Sequence, residues 1–246
     1  MRAMILAAGE GMRLRPLTSD LPKAMLPIGD KPLLEHTLNW LRAHEITEVA
    51  INLHYKPETV IDYFGNGERF GVEIVYSIEN LILGTAGALS KLRHYFTDTF
   101  LTLYGDLLTN LNISSLVAFH KLKQSLATIT LHEVENPSAS GIVALDDVGR
   151  IRRFVEKPSP QEVFADLANA GIFVLEAGII DYIPVNTFYD FAYDLFPSLI
   201  RDGTAIYGYP ITDYLIDIGT AESYHRAEAD WQQGRVKRMS KKFKLE

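Results

Sequence analysis

The stretch LAAGEGMRLRPLTSDLPKAMLP, from Leu6 to Pro27, follows a short apolar run and opens with the glycine pair of a nucleotide-binding turn. It does not predict a helix directly after the glycines, because Pro16 lacks the backbone N–H that a helix interior needs. The dinucleotide pattern GxGxxG requires a third glycine where this chain has Leu14. The Walker pattern GxxxxGK[ST] is absent from the sequence. The stretch therefore represents neither of these two phosphate-binding loops.

The residue types of this stretch nevertheless suit a polyphosphate. Gly9 and Gly11 allow backbone N–H groups to approach phosphate oxygens, where a Cβ atom would block them. Arg13 can bind a phosphate through two parallel hydrogen bonds, and Lys23 supplies a compact point charge. Three prolines stiffen the segment that carries both cations. We expect this loop to hold the phosphates of a nucleotide.

Strands and helices alternate through the first 135 residues. The apolar patterns predict strands at residues 2–8, 48–53, 72–77 and 100–104, and helices at 33–41, 57–64, 85–96 and 113–123. Such alternation is typical of βαβ units, with a parallel sheet and helices on both faces. Ligands of these sheets bind beyond the carboxyl ends of the strands. Two strand ends are marked by small or acidic residues, at Ala8-Gly9 and at Gly105-Asp106.

The second half of the sequence has a mixed pattern. It predicts a strand at 127–134, a hairpin of strands 141–145 and 150–155, and further strands at 169–175, 205–210 and 214–217. Helices are predicted at 178–183, 191–201 and 221–232. Asp146 and Asp147 look like a metal-binding pair, but their place in the hairpin predicts turn residues. No linker or repeat divides the chain, so we expect one domain over residues 1–234 and a basic tail at 235–246.

Composition excludes several classes of function. The 246 residues include no cysteine, which rules out disulfides, thiol nucleophiles and Cys-ligated metals. No apolar run approaches the length of a membrane span, and no export signal is evident, so we expect a cytoplasmic protein. The net charge is −7, and the last twelve residues alone carry six basic groups and one acid. The remaining body, at −12, is a poor match for nucleic acid.

The string GEGMRLRPLTSDLPKAMLP resembles the signature of sugar-1-phosphate nucleotidyltransferases, the nucleotide-sugar pyrophosphorylases. The resemblance continues in order through IENLILGTAGAL, LYGDL, RFVEKP, NAGIFVL and DIGT, and covers residues 3 to about 230. It implies a single Rossmann-like α/β domain of the GT-A type, with a mostly parallel central mixed sheet flanked by helices. Residues 1–135 would mainly bind nucleotide, and residues 136–234 would mainly bind sugar phosphate. The implied reaction joins a nucleoside triphosphate and a sugar 1-phosphate, giving a nucleotide sugar and pyrophosphate.

The resemblance also assigns roles to individual residues. It implies catalytic roles for Arg13, Lys23 and Asp106, and a Mg²⁺ ion bound by Asp106 and Asp217. Nucleotide contacts would come from Leu6, Ala8, Gly9, Gly11, Glu79, Gly84 and Thr85. Contacts to the sugar phosphate would come from Gly141, Glu156, Lys157, Asn169 and Gly171.

The exact substrates and the assembly stay open at this level. LGTAGA is most similar to guanylyltransferases that act on mannose 1-phosphate, although this chain lacks the C-terminal β-helix of many of them. Uridylyl-, thymidylyl- or cytidylyltransferases that act on glucose, heptose or N-acetylmuramate 1-phosphates also fit the motifs, and the resemblance allows a homo-oligomer. A regulatory module that senses sugar nucleotides without chemistry is a hypothesis of a different class. The loss of the third glycine at Leu14 disfavours a nicotinamide oxidoreductase.

Overall fold

The computed structural model describes residues 1–236. The predicted basic tail at 235–246 therefore lies outside the described residues, except for its first two positions. The strands are β1 (Ala3–Leu6), β2 (Pro27–Ile28), β3 (Lys31–Pro32), β4 (Glu48–Leu53), β5 (Glu73–Ile78), β6 (Phe100–Tyr104), β7 (Leu107–Thr109), β8 (Ala127–Glu133), β9 (Gly141–Leu145), β10 (Ile151–Glu156), β11 (Leu167–Leu175), β12 (Tyr207–Pro210) and β13 (Leu215–Asp217). The α-helices are α1 (Leu33–Ala43), α2 (Pro57–Phe64), α3 (Gly84–Ser90), α4 (Ile113–Lys123), α5 (Phe196–Arg201) and α6 (Ala221–Gln232).

The described chain forms two compact units, each assembled from separate segments. The first unit consists of residues 2–80, 103–112 and 213–236, and the second of residues 81–102 and 113–212. Their boundaries differ from the predicted functional halves 1–135 and 136–234, which remain a prediction about roles. Within residues 1–236, no helix combines the length and the apolar character that crossing a membrane would require.

The first unit is built on three parallel strands. β1 pairs with β4 from Ala3↔Val49 onward, and β4 pairs with β5 from Glu48↔Glu73 onward. The side chains of β1 and β4 are almost entirely buried, as expected for parallel strands covered on both faces. Pro32 precedes α1, and leucines at helical spacing bury one face of that helix. The three predicted strands of this region are confirmed. β4 has the predicted bounds, and the ends of β1 and β5 are shifted by one or two residues.

A short antiparallel pair in the first unit was not fully predicted. β7, which follows Asp106 directly, pairs with β13 in the register Leu107↔Asp217 and Thr109↔Leu215. The pair joins two segments that are far apart in sequence. β7 has only three residues, which is too short a run for a periodic pattern to be recognised after the Gly105-Asp106 turn.

The second unit contains a mixed set of strands. β11 pairs antiparallel with β8 and β9, β9 pairs antiparallel with β10, and β12 pairs parallel with β8. Asp146 Oδ1 accepts hydrogen bonds from the backbone N–H groups of Val148 (3.1 Å) and Arg150 (2.9 Å) in the β9–β10 hairpin. The predicted hairpin and the turn role of Asp146 are confirmed. The predicted mixed α/β fold class is confirmed as well.

Three predicted helices of the second unit are shorter or less regular than expected. The one predicted at 178–183 is a 3-10 helix at Ala177–Tyr182. The helix predicted at 85–96 ends at Ser90, and the chain then turns so that the Phe96 ring stacks on Phe100 with centroids 4.3 Å apart. The helix predicted at 191–201 begins with a wide turn at Phe191–Leu195 and becomes α-helical only at Phe196. Pro197 has no N–H to donate to this turn, which favours the irregular geometry.

A buried histidine links elements of the second unit. His120 on α4 is 1% exposed, and its ring nitrogens lie 2.9 Å from Thr128 Oγ1 and 2.9 Å from Glu176 Oε1. Burial lowers the pKa of His120 below its ordinary value, although the contact with Glu176 opposes this change. His120 is thus a packed structural residue.

Candidate active site

The glycine-opened loop follows β1 and has a well-defined path. It contains two short 3-10 turns, Met12–Leu14 and Lys23–Met25. Thr18 Oγ1 donates a hydrogen bond to the Gly11 carbonyl (2.8 Å), and Tyr55 Oη donates to the Ser19 carbonyl (2.8 Å). Leu14 is buried in the core of the first unit. These anchors fix the backbone from which Arg13 and Lys23 project.

Two aspartates from distant segments meet beside this loop. The Gly105 N–H donates to the Leu6 carbonyl (2.9 Å), which places the following residue, Asp106, next to the end of β1. The Ile218 N–H donates to the Asp106 carbonyl (3.0 Å), so that Asp217 is adjacent to Asp106 across the β7–β13 pair. The first unit thus brings together both carboxylates that the sequence predicts as metal ligands.

One carboxylate oxygen of Asp106 is in an ion pair, and the other has no hydrogen-bond partner among residues 1–236. Its Oδ2 atom contacts the Nζ atom of Lys23 in an ion pair, and the two side chains are only 13% and 19% exposed. Its Oδ1 atom is buried and has no hydrogen-bond partner among residues 1–236. A buried, unsatisfied carboxylate oxygen is costly unless a ligand completes it. This atom marks the place where a cation would bind.

Asp217 carries the second carboxylate. Its Oδ1 accepts a hydrogen bond from the Gly219 N–H (2.5 Å). The pKa of Asp217 is raised to about 6, first by exclusion of water from its carboxyl group and then by the negative charge of Asp106. Asp217 is nevertheless an exposed residue, so water screens part of the repulsion between the two carboxylates, and the adjacent charge of Asp106 still favours the protonated form of Asp217. Two carboxylates that disfavour each other's charge are typical of a site that a cation completes.

Gly219 lies close to both Asp217 and Arg13. A Cβ atom at this position would lie 2.7 Å from Asp217 Oδ1 and 3.0 Å from Arg13 Nη2. The absence of a side chain therefore lets the Arg13 guanidinium and the Asp217 carboxylate occupy the same neighbourhood. This explains in physical terms why the DIGT motif has glycine as its third residue.

Two carboxylates suit a hard divalent cation whose other ligands are water molecules or phosphate oxygens. Mg²⁺ prefers octahedral oxygen coordination and is usually held by one or two carboxylates together with water and phosphate oxygens. Among the described residues, no group of three or more His, Cys, Asp or Glu side chains could hold a metal on its own. Asp106 and Asp217 could therefore bind Mg²⁺ when a ligand supplies further oxygens.

The residues predicted to bind nucleotide are distributed over both units. Leu6, Ala8, Gly9, Gly11 and Glu79 belong to the first unit, and Gly84 and Thr85 belong to the second. No described atom lies within 4 Å of a Cβ placed on Gly9, so the backbone is open on that side. This leaves room for a ligand to approach the main chain.

Glu79 is held by a residue that the sequence analysis missed. Glu79 is 2% exposed, and its Oε1 accepts a hydrogen bond from Asn52 Nδ2 (2.8 Å). Asn52 Oδ1 in turn accepts from the Ala7 N–H (2.8 Å), which ties the Glu79 side chain to the start of the glycine loop. The sequence does place a single polar amide, that of Asn52, within the otherwise apolar strand EVAINL, and a buried amide of this kind needs hydrogen-bond partners.

Gly84 and Thr85 are fixed against the segment that precedes α5. Gly84 begins α3 with φ +77°. The N–H groups of Ala86 and Gly87, in the same first turn, donate hydrogen bonds to the Tyr189 carbonyl at 3.0 and 2.8 Å. Thr85 Oγ1 donates to Asp190 Oδ2 (2.7 Å). Asp190 was also missed. Its signal was an acidic residue directly before a helical pattern, the position of a cap.

The predicted sugar-phosphate residues converge in the second unit. Glu156 pairs with Gly141 in the β9–β10 ladder, and a Cβ on Gly141 would collide with the Glu156 carboxylate. Lys157 Nζ lies 3.9 Å from Glu156 Oε1. Asn169 follows Ala168, which pairs with Ile142, and its Oδ1 accepts from the Gly171 N–H (2.9 Å). Burial raises the pKa of Glu156, an effect that the charge of Lys157 partly offsets.

Comparison with known proteins relates this arrangement to a family. The family model described as nucleotidyl transferase matches residues 2–234. A UTP–glucose-1-phosphate uridylyltransferase of Synechocystis is 40% identical over 241 residues, which cover 92% of this chain and 62% of the relative. A mannose-1-phosphate guanylyltransferase of Mycobacterium tuberculosis is 37% identical over 237 residues, which cover 94% of this chain and 65% of the relative. The chain thus spans somewhat less than two thirds of the length of these relatives.

A solved structure supports the fold. The crystal structure of HddC from Yersinia pseudotuberculosis complexed with GMP-PN is 26% identical, with a TM-score of 0.79, and the match covers 94% of this chain and 99% of that one. The likeness extends over nearly the whole of both chains and is consistent with the α/β fold predicted from the sequence.

Proposed function

The chain belongs to the nucleotidyl transferase family, and on that premise we propose that it transfers a nucleotidyl group from a nucleoside triphosphate to a sugar 1-phosphate. The observation that carries this proposal is the cluster of Arg13, Lys23, Asp106 and Asp217 in the first unit, with the unsatisfied Asp106 oxygen at its centre. Two cations and two carboxylates beside an open glycine loop suit a polyphosphate and a divalent ion.

The reaction exchanges one phosphoanhydride for another. A phosphate oxygen of the sugar 1-phosphate forms a bond to the α-phosphorus, and the bond from that phosphorus to the bridging α–β oxygen breaks. The electron pair leaves with pyrophosphate. Because the attacking oxygen is already an anion, no strong base is needed. Catalysis depends on positioning two anions in line and on neutralising the charge of the leaving group.

The residues of the first unit supply most of that electrostatic work. Arg13 would bind phosphate oxygens through the parallel N–H groups of its guanidinium. Lys23 would move its ammonium group onto the pyrophosphate portion of the triphosphate. Asp106 and Asp217 would hold Mg²⁺, which when bound supplies positive charge next to the phosphate oxygens.

The residues of the second unit would bind the other substrate. Lys157 is exposed and placed at the end of β10, where it can contact the phosphate of the sugar 1-phosphate. Glu156 and Asn169 would accept and donate hydrogen bonds to sugar hydroxyl groups. Gly141 and Gly171 would let the sugar ring approach bare backbone.

For the specific substrates we propose GTP and mannose 1-phosphate. Support comes from LGTAGA, from the 37% identical guanylyltransferase and from the HddC structure complexed with GMP-PN. UTP and glucose 1-phosphate are the second candidate pair, favoured by the 40% identical uridylyltransferase. Pairs of dTTP or CTP with heptose or N-acetylmuramate 1-phosphate have weaker support. We further propose that the protein acts in the cytoplasm and binds neither nucleic acid nor membranes.

A pyrophosphate-release assay tests the proposal. ATP, GTP, CTP, UTP and dTTP are each combined with the 1-phosphates of mannose, glucose, N-acetylglucosamine, N-acetylmuramate and heptose, with and without Mg²⁺. We expect Mg²⁺-dependent release with one preferred pair, GTP and mannose 1-phosphate. Preference for another pair would correct the substrates only. Nucleotide binding without turnover on any pair would overturn the proposal and favour a non-catalytic sensing module.

A further inference from the structure

We propose that Lys23 occupies the position of a divalent cation in the substrate-free protein, so that the site takes up metal tightly only together with a nucleoside triphosphate. This inference rests on the proposed function, because it takes Asp106 and Asp217 as the metal ligands. It gives Lys23 two successive partners, first Asp106 and then phosphate. Lys23 would thereby couple the binding of metal to the binding of nucleotide.

The ion pair between Lys23 and Asp106 is the first observation. Lys23 Nζ contacts Asp106 Oδ2, and little of either side chain is exposed to solvent. A largely buried ion pair is screened by water and salt much less than a surface pair. The ammonium therefore neutralises Asp106 effectively before any ligand arrives. A divalent cation that binds to the same carboxylate would have to lie close to this ammonium, and the two like charges repel each other.

The remaining carboxylate oxygens explain why the site still has affinity for metal. Asp106 Oδ1 is buried without a partner among the described residues, and Asp217 lies next to Asp106 across the β7–β13 pair. Lys23 satisfies one oxygen and leaves this second oxygen unsatisfied. The ammonium is thus an incomplete substitute for a cation that could contact both carboxylates.

The local backbone allows Lys23 to exchange partners without refolding. Lys23 begins the 3-10 turn Lys23–Met25, in which the Met25 N–H donates to the Pro22 carbonyl (2.8 Å) and the Leu26 N–H donates to the Lys23 carbonyl (3.1 Å). The backbone is therefore fixed, while the four-carbon stem of lysine can rotate. A bound triphosphate supplies new acceptors for the ammonium within the same loop. When Lys23 moves to them, Asp106 becomes available to the metal.

Thermodynamic linkage then predicts reciprocal coupling. A nucleotide that removes Lys23 from Asp106 raises the affinity for metal, and the metal must raise the affinity for nucleotide by the same factor. Neutralising Lys23 removes the internal competitor. Metal should then bind without nucleotide, and the coupling between the two ligands should shrink.

Direct titration with Mn²⁺, monitored by electron paramagnetic resonance of the free ion, tests this inference without measuring turnover. The proteins are the wild type, Lys23→Gln, the double variant Lys23→Gln/Asp106→Asn, and Lys31→Gln as a matched control. Lys31 also pairs with a carboxylate, that of Glu35, but takes no part in the proposed site. Each protein is titrated with Mn²⁺ alone and in the presence of the α,β-methylene analogues of GTP and of UTP. Thermal melting establishes that each variant is folded.

We expect wild type and Lys31→Gln to bind Mn²⁺ weakly alone and at least tenfold more tightly with an analogue. Lys23→Gln should bind Mn²⁺ alone at least tenfold more tightly than wild type, and the double variant should lose that gain. Equal or weaker binding of Mn²⁺ alone by Lys23→Gln would overturn the inference while leaving the metal site intact. If wild type binds no Mn²⁺ even with both analogues, the proposed metal site itself is wrong, and the inference falls with it.

Discussion

Alanine substitutions at Gly84 and Gly203 should destabilise the protein by different amounts, because only Gly84 packs against Tyr189. Gly84 and Gly203 both have φ +77°. A Cβ atom on Gly84 would lie 2.6 Å from the Tyr189 carbonyl oxygen, whereas no described atom lies within 4 Å of a Cβ on Gly203. Gly84→Ala and Gly203→Ala therefore share the backbone strain, and only the first adds a collision with backbone.

The magnitudes follow from these surroundings. An alanine in the left-handed region costs roughly 1–2 kcal/mol. The lower entropy of the unfolded chain returns about 0.4–1 kcal/mol in either variant. For Gly203→Ala the net loss is thus about 0–1.6 kcal/mol. In Gly84→Ala, the Tyr189 carbonyl must also move away from the N–H groups of Ala86 and Gly87, and each hydrogen bond contributes about 1 kcal/mol. The total for Gly84→Ala is then roughly 2–3.6 kcal/mol.

Urea unfolding followed by far-ultraviolet circular dichroism measures both variants against wild type. The comparison uses the midpoint and requires that the dependence of the unfolding free energy on urea stays the same. Gly84→Ala should be less stable than Gly203→Ala by about 2 kcal/mol. If the two variants differ by less than about 0.5 kcal/mol, the packing of α3 on Tyr189 does not determine the need for glycine at position 84, and the reasoning is wrong.

Three further predictions concern catalysis, a buried amide and pH. Arg13→Ala and Lys157→Ala should each lower kcat by roughly 10²–10³ without lowering the melting temperature, and near wild-type turnover would exclude that residue from the mechanism. Asn52→Leu removes the donor to Glu79 Oε1 and the acceptor of the Ala7 N–H, so the free energy of unfolding should fall by roughly 2–4 kcal/mol in urea titrations. A fall below about 1 kcal/mol would show that water replaces the amide. Because burial depresses the pKa of His120 in the folded state, the unfolded chain binds the additional proton, and stability should decrease as the pH falls below about 6.5. In His120→Gln this decrease between about pH 7.5 and 5.5 should be smaller, and an unchanged decrease would refute the assignment.

Much of the fold could be predicted because the deciding patterns are local. β4, α2, α4 and α6 have the bounds that the sequence pattern predicts. The elements that differ are those whose limits are set by distant contacts. α3 ends early because Phe96 packs on Phe100, and the turn before α5 depends on the cap from Asp190.

The candidate site shows the same division. Arg13, Lys23 and Asp106 were identifiable from short strings, and the structure places them together with Asp217. The supporting residue Asn52 was not identifiable, since its importance arises from a side chain that bridges two neighbouring strands. The pairing of Lys23 with Asp106 was also beyond prediction, because a charge in a sequence does not reveal which partner it takes.

The β7–β13 pair has a consequence for how the protein is made. It includes the hydrogen bond from Thr109 Oγ1 to the Tyr214 carbonyl, between residues 105 positions apart in sequence. On the ribosome, β7 is synthesised long before β13, so the backbone groups of β7 that pair with β13 lack their partner until then. Residues 81–102 and 113–212 can meanwhile complete their own fold. The proposed polyphosphate site would thus be completed last, because a translation product that stops before β13 lacks Asp217 and with it half of the proposed magnesium centre.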